Sequence, residues 1–262
     1  MSAAQPAAQP LAGTHAVVTG GGRGIGRAIA ARLADLGASL TLLGRDRVRL
    51  DAAAAALPRC DAHVCDVGDR AAVDAAFAAI GRAGHRTALL VNNAGIATSA
   101  KFGDTGAKLW DDMLRVNLTG AFHCTQAALP TLLAAPFGRI VNVASTAGLV
   151  GYPYVAAYCA AKHGVVGLTR ALALELATTR VTVNAVCPGY TDTDLTDDAV
   201  ANIVARTGRS AAAARDALAA RNPQKRLVTV DEVAAAVAWL CLPDAASITG
   251  QAVSVSGGEV MQ

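Results

Sequence analysis

Aromatic side chains are scarce, 4% of 262 residues, so a core has to be built from Ala, Val, Leu and Ile. Charge is also thin: 16% charged against 53% apolar residues excludes a disordered chain. A net charge of +3 with so few aromatics does not suggest a nucleic-acid partner. No apolar stretch reaches the ~20 residues needed to cross a bilayer, so no membrane partner is expected. The six cysteines, Cys60, Cys65, Cys124, Cys159, Cys187 and Cys241, form no Cys-x-x-Cys pair and mostly sit in apolar runs. They read as buried free thiols in a reducing cytoplasm, with no disulfide and no metal site expected. The start of the chain is rich in Ala, Gln and Pro and has neither a basic nor an apolar segment of signal-peptide type. Residues 1–11 are expected to be a flexible leader.

What is present is an alternation of short β-branched runs with longer Ala/Leu-rich segments, the mark of a parallel sheet with crossover helices. Strands are predicted at His15–Thr19, Ser39–Leu43, His63–Cys65, Ala88–Val91, Arg139–Ser145, Val181–Val186 and Ala252–Val255. Helices are predicted at Ile25–Leu36, in one long stretch from Trp110 to Leu133, at Val155–Leu176 and at Val233–Leu240. Asp46 is placed to cap another helix, and Asp66 is a candidate cap for one starting near Asp69. The fold class is therefore α/β, a single-domain Rossmann-type doubly wound parallel sheet of about seven strands with helices on both faces. No linker or repeat breaks the series, so residues 12–262 are expected to form one domain.

Two local patterns carry chemistry. Thr19-Gly20-Gly21-Gly22-Arg23-Gly24-Ile25-Gly26 joins the first strand to the first helix. Glycines there permit positive φ and let a diphosphate approach the backbone, while the helix N-terminus offers N–H groups to the anion. Tyr158 and Lys162 stand four apart, on one face of a helix, with Ser145 at the end of an apolar run. A tyrosine with a pKa of roughly 10 is a poor base at neutral pH, and a neighbouring ammonium would be expected to lower that value.

Together these blocks, with Asn92-Asn93-Ala94-Gly95 and Pro188-Gly189, resemble the short-chain dehydrogenase/reductase family over about residues 12–260. The resemblance implies that Ser145 orients a carbonyl, Tyr158 is the general acid/base, and Lys162 lowers its pKa and bonds the nicotinamide ribose. It also implies that Asn117 continues a proton path. Gly20, Arg23, Gly24, Ile25 and Gly26 would then form the diphosphate turn. Asp66 and Val67 would contact adenine, Asn93, Ala94 and Gly95 would lie beneath the cofactor, and Pro188, Gly189, Thr191 and Thr193 would form the carboxamide loop. Thr193 matches that loop better than Thr191. A homotetramer is the family's usual assembly.

At the end of the second strand, where NAD binders carry an acid, stand Gly44 and Arg45. With Arg23 in the turn, two guanidinium groups suit a 2′-phosphate, so NADP(H) is favoured, with NAD(H) as the alternative. Residues 190–230 would form a substrate lid. Between Ala201 and Arg226 it holds Arg206, Arg209, Arg215, Arg221, Lys225 and Arg226 against one acid, Asp216, an excess suited to an acyl-thioester carrier's phosphates or to a solvated face. Ala147, Leu149, Val150, Tyr152 and Tyr154 follow Ser145 and make the site apolar, with Tyr152, Ser145 and Tyr158 as substrate contacts. Reduction of a 3-oxoacyl thioester with NADPH is the expected activity. The alternatives are an NAD-dependent 3-hydroxybutyrate or cyclic alcohol/steroid dehydrogenase, and a non-catalytic dinucleotide-binding regulator.

Overall fold

The computed structural model describes residues 9–261. Seven parallel strands form one sheet in the order β3-β2-β1-β4-β5-β6-β7. They are β1 (His15–Thr19), β2 (Ser39–Gly44), β3 (Cys60–Val64), β4 (Thr87–Asn92), β5 (Gly138–Val143), β6 (Val181–Pro188) and β7 (Ala252–Val255). The crossover helices are α1 (Gly24–Asp35), α2 (Arg47–Ala55), α3 (Arg70–Arg82), α4 (Ala107–Leu114), α5 (Gly120–Ala134), α6 (Ala156–Glu175) and α9 (Val230–Cys241). Two further helices, α7 (Asp194–Thr207) and α8 (Ala211–Ala219), lie outside the sheet as a lid.

Strand side chains alternate between two cores, which is why the inner strands read as unbroken apolar runs. Ala16 and Val18 of β1 face Ile29 and Leu33 of α1 and Val233 and Val237 of α9. Val17 faces the other way, onto a layer with Ile80 of α3 and Cys124 and Leu132 of α5. Each fully buried leucine contributes about 1.5–3 kcal/mol. The cap expected at Asp46 is in place, accepting from the Arg49 N–H, whereas α3 is capped by Asp69, which accepts from the N–H groups of Ala71 and Ala72, and not by Asp66.

Three local expectations need correcting. β3 starts three residues earlier than predicted. It is the sheet edge, so Asp61 and Val64 face solvent and break the apolar signal that marks inner strands. The long helix predicted over 110–133 is α4 and α5 joined by a π-helical turn, Arg115–Thr119, closed by a bond from the Gly120 N–H to the Arg115 carbonyl. Of the expected leader, residues 1–8 lie outside the described residues. Leu11 is no free leader residue: it is fully buried and donates its N–H to the Leu36 carbonyl.

The strand order reverses between β1 and β4, opening a crevice at the carboxyl ends of the strands, where α/β sheets take their ligands.

Candidate active site

The glycine turn crosses this crevice. Gly20 and Gly24 have φ of +65° and +49°, which a larger residue resists. A Cβ at Gly26 would lie 2.2 Å from the Gly20 carbonyl oxygen, so helix and turn touch as only glycine allows. The N-terminus of α1 has no side-chain cap and no acid in its first turn, leaving its N–H groups for an anion. These features fit the diphosphate of a dinucleotide. The backbone N–H groups of Asn93 and Ala94, with the Asn93 amide, brace the turn. Both their N–H groups donate to Thr19 Oγ1 at 2.9 Å, and Asn93 Nδ2 donates to the Thr19 carbonyl at 3.0 Å.

Around the outer end of this crevice the charges differ from expectation in two ways. Arg49, on the first turn of α2, joins Arg23. Both guanidinium groups reach Asp194 of the lid, at 3.0 and 2.8 Å. The sequence suggested no carboxylate here, yet Asp194 arrives from far along the chain. Asp46 caps α2 and also lies 3.3 Å from Arg49 Nε, while Arg45 is exposed and Arg23 meets only Asp194 among the described carboxylates. The balance stays cationic. Asp66 accepts from the Gly68 N–H at 2.9 Å and from Arg115 at 3.1 Å. Burial pushes its carboxyl up, but these bonds and the charges of Arg115 and Arg45 outweigh it and hold the pKa below the usual range. The Val67 side chain packs against Gly120 of α5 and its carbonyl accepts from His123, which leaves its backbone N–H as the group to meet a ligand.

Ser145 stands just past β5 and caps a short turn, its Oγ accepting from the Ala147 N–H at 3.1 Å. Tyr158 and Lys162 come from one face of α6, with Nζ 5.6 Å from the ring centroid. Ile25, in the first turn of α1, packs against the core. Asn117 sits in the π-helical turn. Its Oδ1 accepts from the Ile96 N–H at 3.2 Å, and its Nδ2 donates to the carbonyls of Ile96 and Met113 at 2.9 and 3.0 Å. A Cβ on Gly95 would lie 2.8 Å from Asn117 Oδ1 and 3.8 Å from Lys162 Nζ, so this glycine is the gap through which the two approach.

The electrostatics of the pair reverse one expectation. Burial pushes the Tyr158 phenol up to about 12, against a smaller downward pull from the Ser145 hydroxyl. Burial likewise brings the Lys162 ammonium down to about 8. The Lys162 Nζ donates to the Val143 carbonyl at 2.8 Å and stands 5.6 Å from the centre of the Tyr158 ring. In this arrangement the phenol keeps its proton at neutral pH and is suited to donate it.

Pro188 ends β6, and the Gly189 N–H is bonded to the Val255 carbonyl at 3.0 Å. Thr191 is buried, its hydroxyl turned onto the Gly189 carbonyl. Thr193 opens α7 with its methyl 3.5 Å from where a Cβ on Gly24 would stand, so it overhangs the glycine turn. The lid between is clasped at its base, where Thr191 and Val228 form an isolated bridge. Three of its six basic residues pair with carboxylates: Arg215 with Asp192 and Asp197, Arg226 with Glu232, Arg221 with Glu259. Arg206 bonds Asn202. The acids come from outside the window that looked one-sided, so half of its basic residues are neutralised, while Arg206, Arg209 and Lys225 have no carboxylate partner among the described residues.

A family model described as short chain dehydrogenase matches residues 14–203. The chain belongs to that family. It is therefore an oxidoreductase acting on CH–OH and carbonyl carbons, of a family that uses NAD(P). Among its relatives is a protein named as ketoacyl reductase 1 of the granaticin polyketide synthase of Streptomyces violaceoruber, 42% identical over 96% of this chain and 93% of that one. A D-beta-hydroxybutyrate dehydrogenase of Rhizobium meliloti is 36% identical over 94% and 98%. The crystal structure of a single-substitution variant of actinorhodin polyketide ketoreductase with NADPH superposes with a TM-score of 0.91, at 38% identity, covering 96% of this chain and 98% of that one.

Proposed function

We propose that this short-chain dehydrogenase reduces a 3-oxoacyl thioester to the 3-hydroxyacyl form with NADPH. The observation that carries this is the Tyr158 phenol beside the Ser145 hydroxyl, with Lys162 on the same helix face, at the carboxyl edge of the sheet next to the glycine turn. NADPH would lie with its diphosphate on Gly20–Gly26 and its adenosine end near Arg23, Arg45, Arg49, Asp66 and Val67. Ala94, Gly95, Pro188, Gly189, Thr191 and Thr193 would line its nicotinamide end. It supplies the hydride. The chain's own groups handle the oxygen: Ser145 and Tyr158 bind the substrate carbonyl, and Tyr158 Oη gives it a proton as negative charge develops there. Lys162 bonds the ribose hydroxyls, and Asn117 fixes the segment after β4 that carries Gly95. Tyr152 and the apolar residues after Ser145 hold the acyl chain.

Ketoacyl reductase relatives and a neighbour with NADPH support this activity. The hydroxybutyrate dehydrogenase relatives favour a second activity, NAD-dependent oxidation of a 3-hydroxy acid. Comparing acetoacetyl-CoA with free acetoacetate, each with NADPH and NADH, separates the two. Turnover of the thioester with NADPH is expected; turnover of the free acid alone, or a preference for NADH, overturns the proposal.

A homotetramer in the cytoplasm also belongs to this proposal. Leu174 on α6, Phe122 on α5 and Trp239 on α9 expose apolar surface of the sort that subunits cover. Six unpaired thiols suit a reducing compartment. Light scattering tests the assembly, and a monomer would reject it.

A further inference from the structure

The segment after β7 carries a carboxylate for which the reaction above has no use. The Glu259 side chain is only 9% exposed, and its Oε1 accepts from the Tyr152 hydroxyl at 2.8 Å. A carboxylate only accepts, so Tyr152 spends its proton there and is free to accept from the Thr146 hydroxyl at 2.9 Å. Thr146 is the neighbour of Ser145. The same Oε1 lies 3.6 Å from Arg221 Nε, and the Arg221 guanidinium lies 4.4 Å above the centre of the Tyr152 ring. Tyr190 meets Tyr152 edge-on. Oε2 lies 3.0 Å from where a Cβ on Gly189 would stand, in the loop leaving β6. One buried carboxylate thus meets the end of the lid and the loop after β6 directly and reaches the turn carrying Ser145 through Tyr152.

The neighbours hold it there. Asn222, next to Arg221, is buried, and a Cβ on Gly257 would lie 2.1 Å from its Oδ1, so tail and lid end are in tight contact. The cleft beside them, about 400 Å³, is lined by Val150, Tyr152, Arg221, Glu259 and Val260. A buried charge with a charge-assisted bond on one side and a guanidinium on the other fixes both partners more firmly than neutral bonds would.

We propose that Glu259 is a positioning residue for the ketone substrate: through Tyr152 and Arg221 it locks the Ser145 turn to the end of the lid, so that the two form one wall of the substrate site. This rests on the reductase activity proposed above. Glu259→Ala should raise KM for the carbonyl substrate about tenfold while KM and Kd for NADPH stay at wild-type values. Glu259→Gln keeps an acceptor for Tyr152 and should recover most of the loss. Tyr152→Phe should copy the alanine variant, and the double variant should be no worse than either single one.

Wild-type turnover is measured first, on acetoacetyl-CoA and on a panel of simple ketones. No turnover of the thioester rejects the substrate class alone, and the variants are then compared on whichever ketone is reduced. Failure of Glu259→Ala to fold leaves the Gln and Phe variants to decide. Substrate KM unchanged in Tyr152→Phe, an equal rise in KM for substrate and NADPH, or additive losses in the double variant would each overturn the positioning role.

Discussion

A methyl group added at Gly26 would stand 2.2 Å from the Gly20 carbonyl oxygen and 2.5 Å from Asn93 Nδ2. Neither neighbour can step back. The Gly20 N–H is bonded to the Leu43 carbonyl at 2.7 Å, and Asn93 Nδ2 is tied to the Thr19 carbonyl. Overpacking of this type costs about 1–3 kcal/mol, at the upper end where backbone has to move. Replacing a helical glycine by alanine returns at most about 1 kcal/mol. The net loss for Gly26→Ala is then about 2 kcal/mol, or about 4–8 °C in Tm for a chain of this length. Because the displaced atoms belong to the proposed diphosphate cradle, NADPH affinity should fall about tenfold or more. Gly81→Ala is the control: it lies in α3 with no atom within 4 Å of the added methyl, and Tm should rise by about 1–4 °C. Thermal melts with and without NADPH read both. A Gly26→Ala protein with wild-type Tm and NADPH affinity would refute the reasoning.

Two further outcomes follow from groups outside the catalytic trio. His15 is buried against His85. Burial, and then the His85 charge, outweigh the pull of Asp61 and bring its pKa from 6.5 down to about 4. The unfolded chain therefore takes up the proton first. Stability should rise between about pH 4 and 6.5 by about 3 kcal/mol, and denaturant midpoints of wild type and His15→Val across that range would show the slope disappearing with the histidine. Asp194→Asn should release Arg23 and Arg49, tightening NADPH several-fold and raising the NADPH-over-NADH ratio of kcat/KM, with little change in Tm because the pairs are half exposed. A lower ratio would contradict the phosphate role of these arginines.

What the sequence made legible was local. Inner strands buried on both faces read as apolar runs, the glycine turn sits where a strand must pass tightly into a helix, and the Tyr158–Lys162 spacing needs only one helix. What stayed hidden depends on residues distant in sequence. Asp194 meets Arg23 and Arg49 across 171 and 145 positions, and Glu259 meets Tyr152 across 107, distances at which no spacing rule operates. The lid looked like a free basic face for a different reason: the window from Ala201 to Arg226 stops short of Asp192, Asp197 and Glu232, which neutralise Arg215 and Arg226. Arg49 carried a faint signal, a third arginine two places beyond Arg47 at the start of the second helix. The π-helical turn at Asn117 breaks no periodicity strongly enough to be seen. The Tyr158 phenol was expected to be acidified by its lysine; burial, which no spacing reports, pulls the other way.

The proton donor itself can be tested in one step. Tyr158→Phe removes a single oxygen and leaves the ring between Ser145 and Lys162, so NADPH should bind with wild-type Kd while single-turnover oxidation of bound NADPH by acetoacetyl-CoA falls at least a thousandfold, on the order expected for losing the general acid. Hydride transfer at a rate near wild type in that variant would contradict the account.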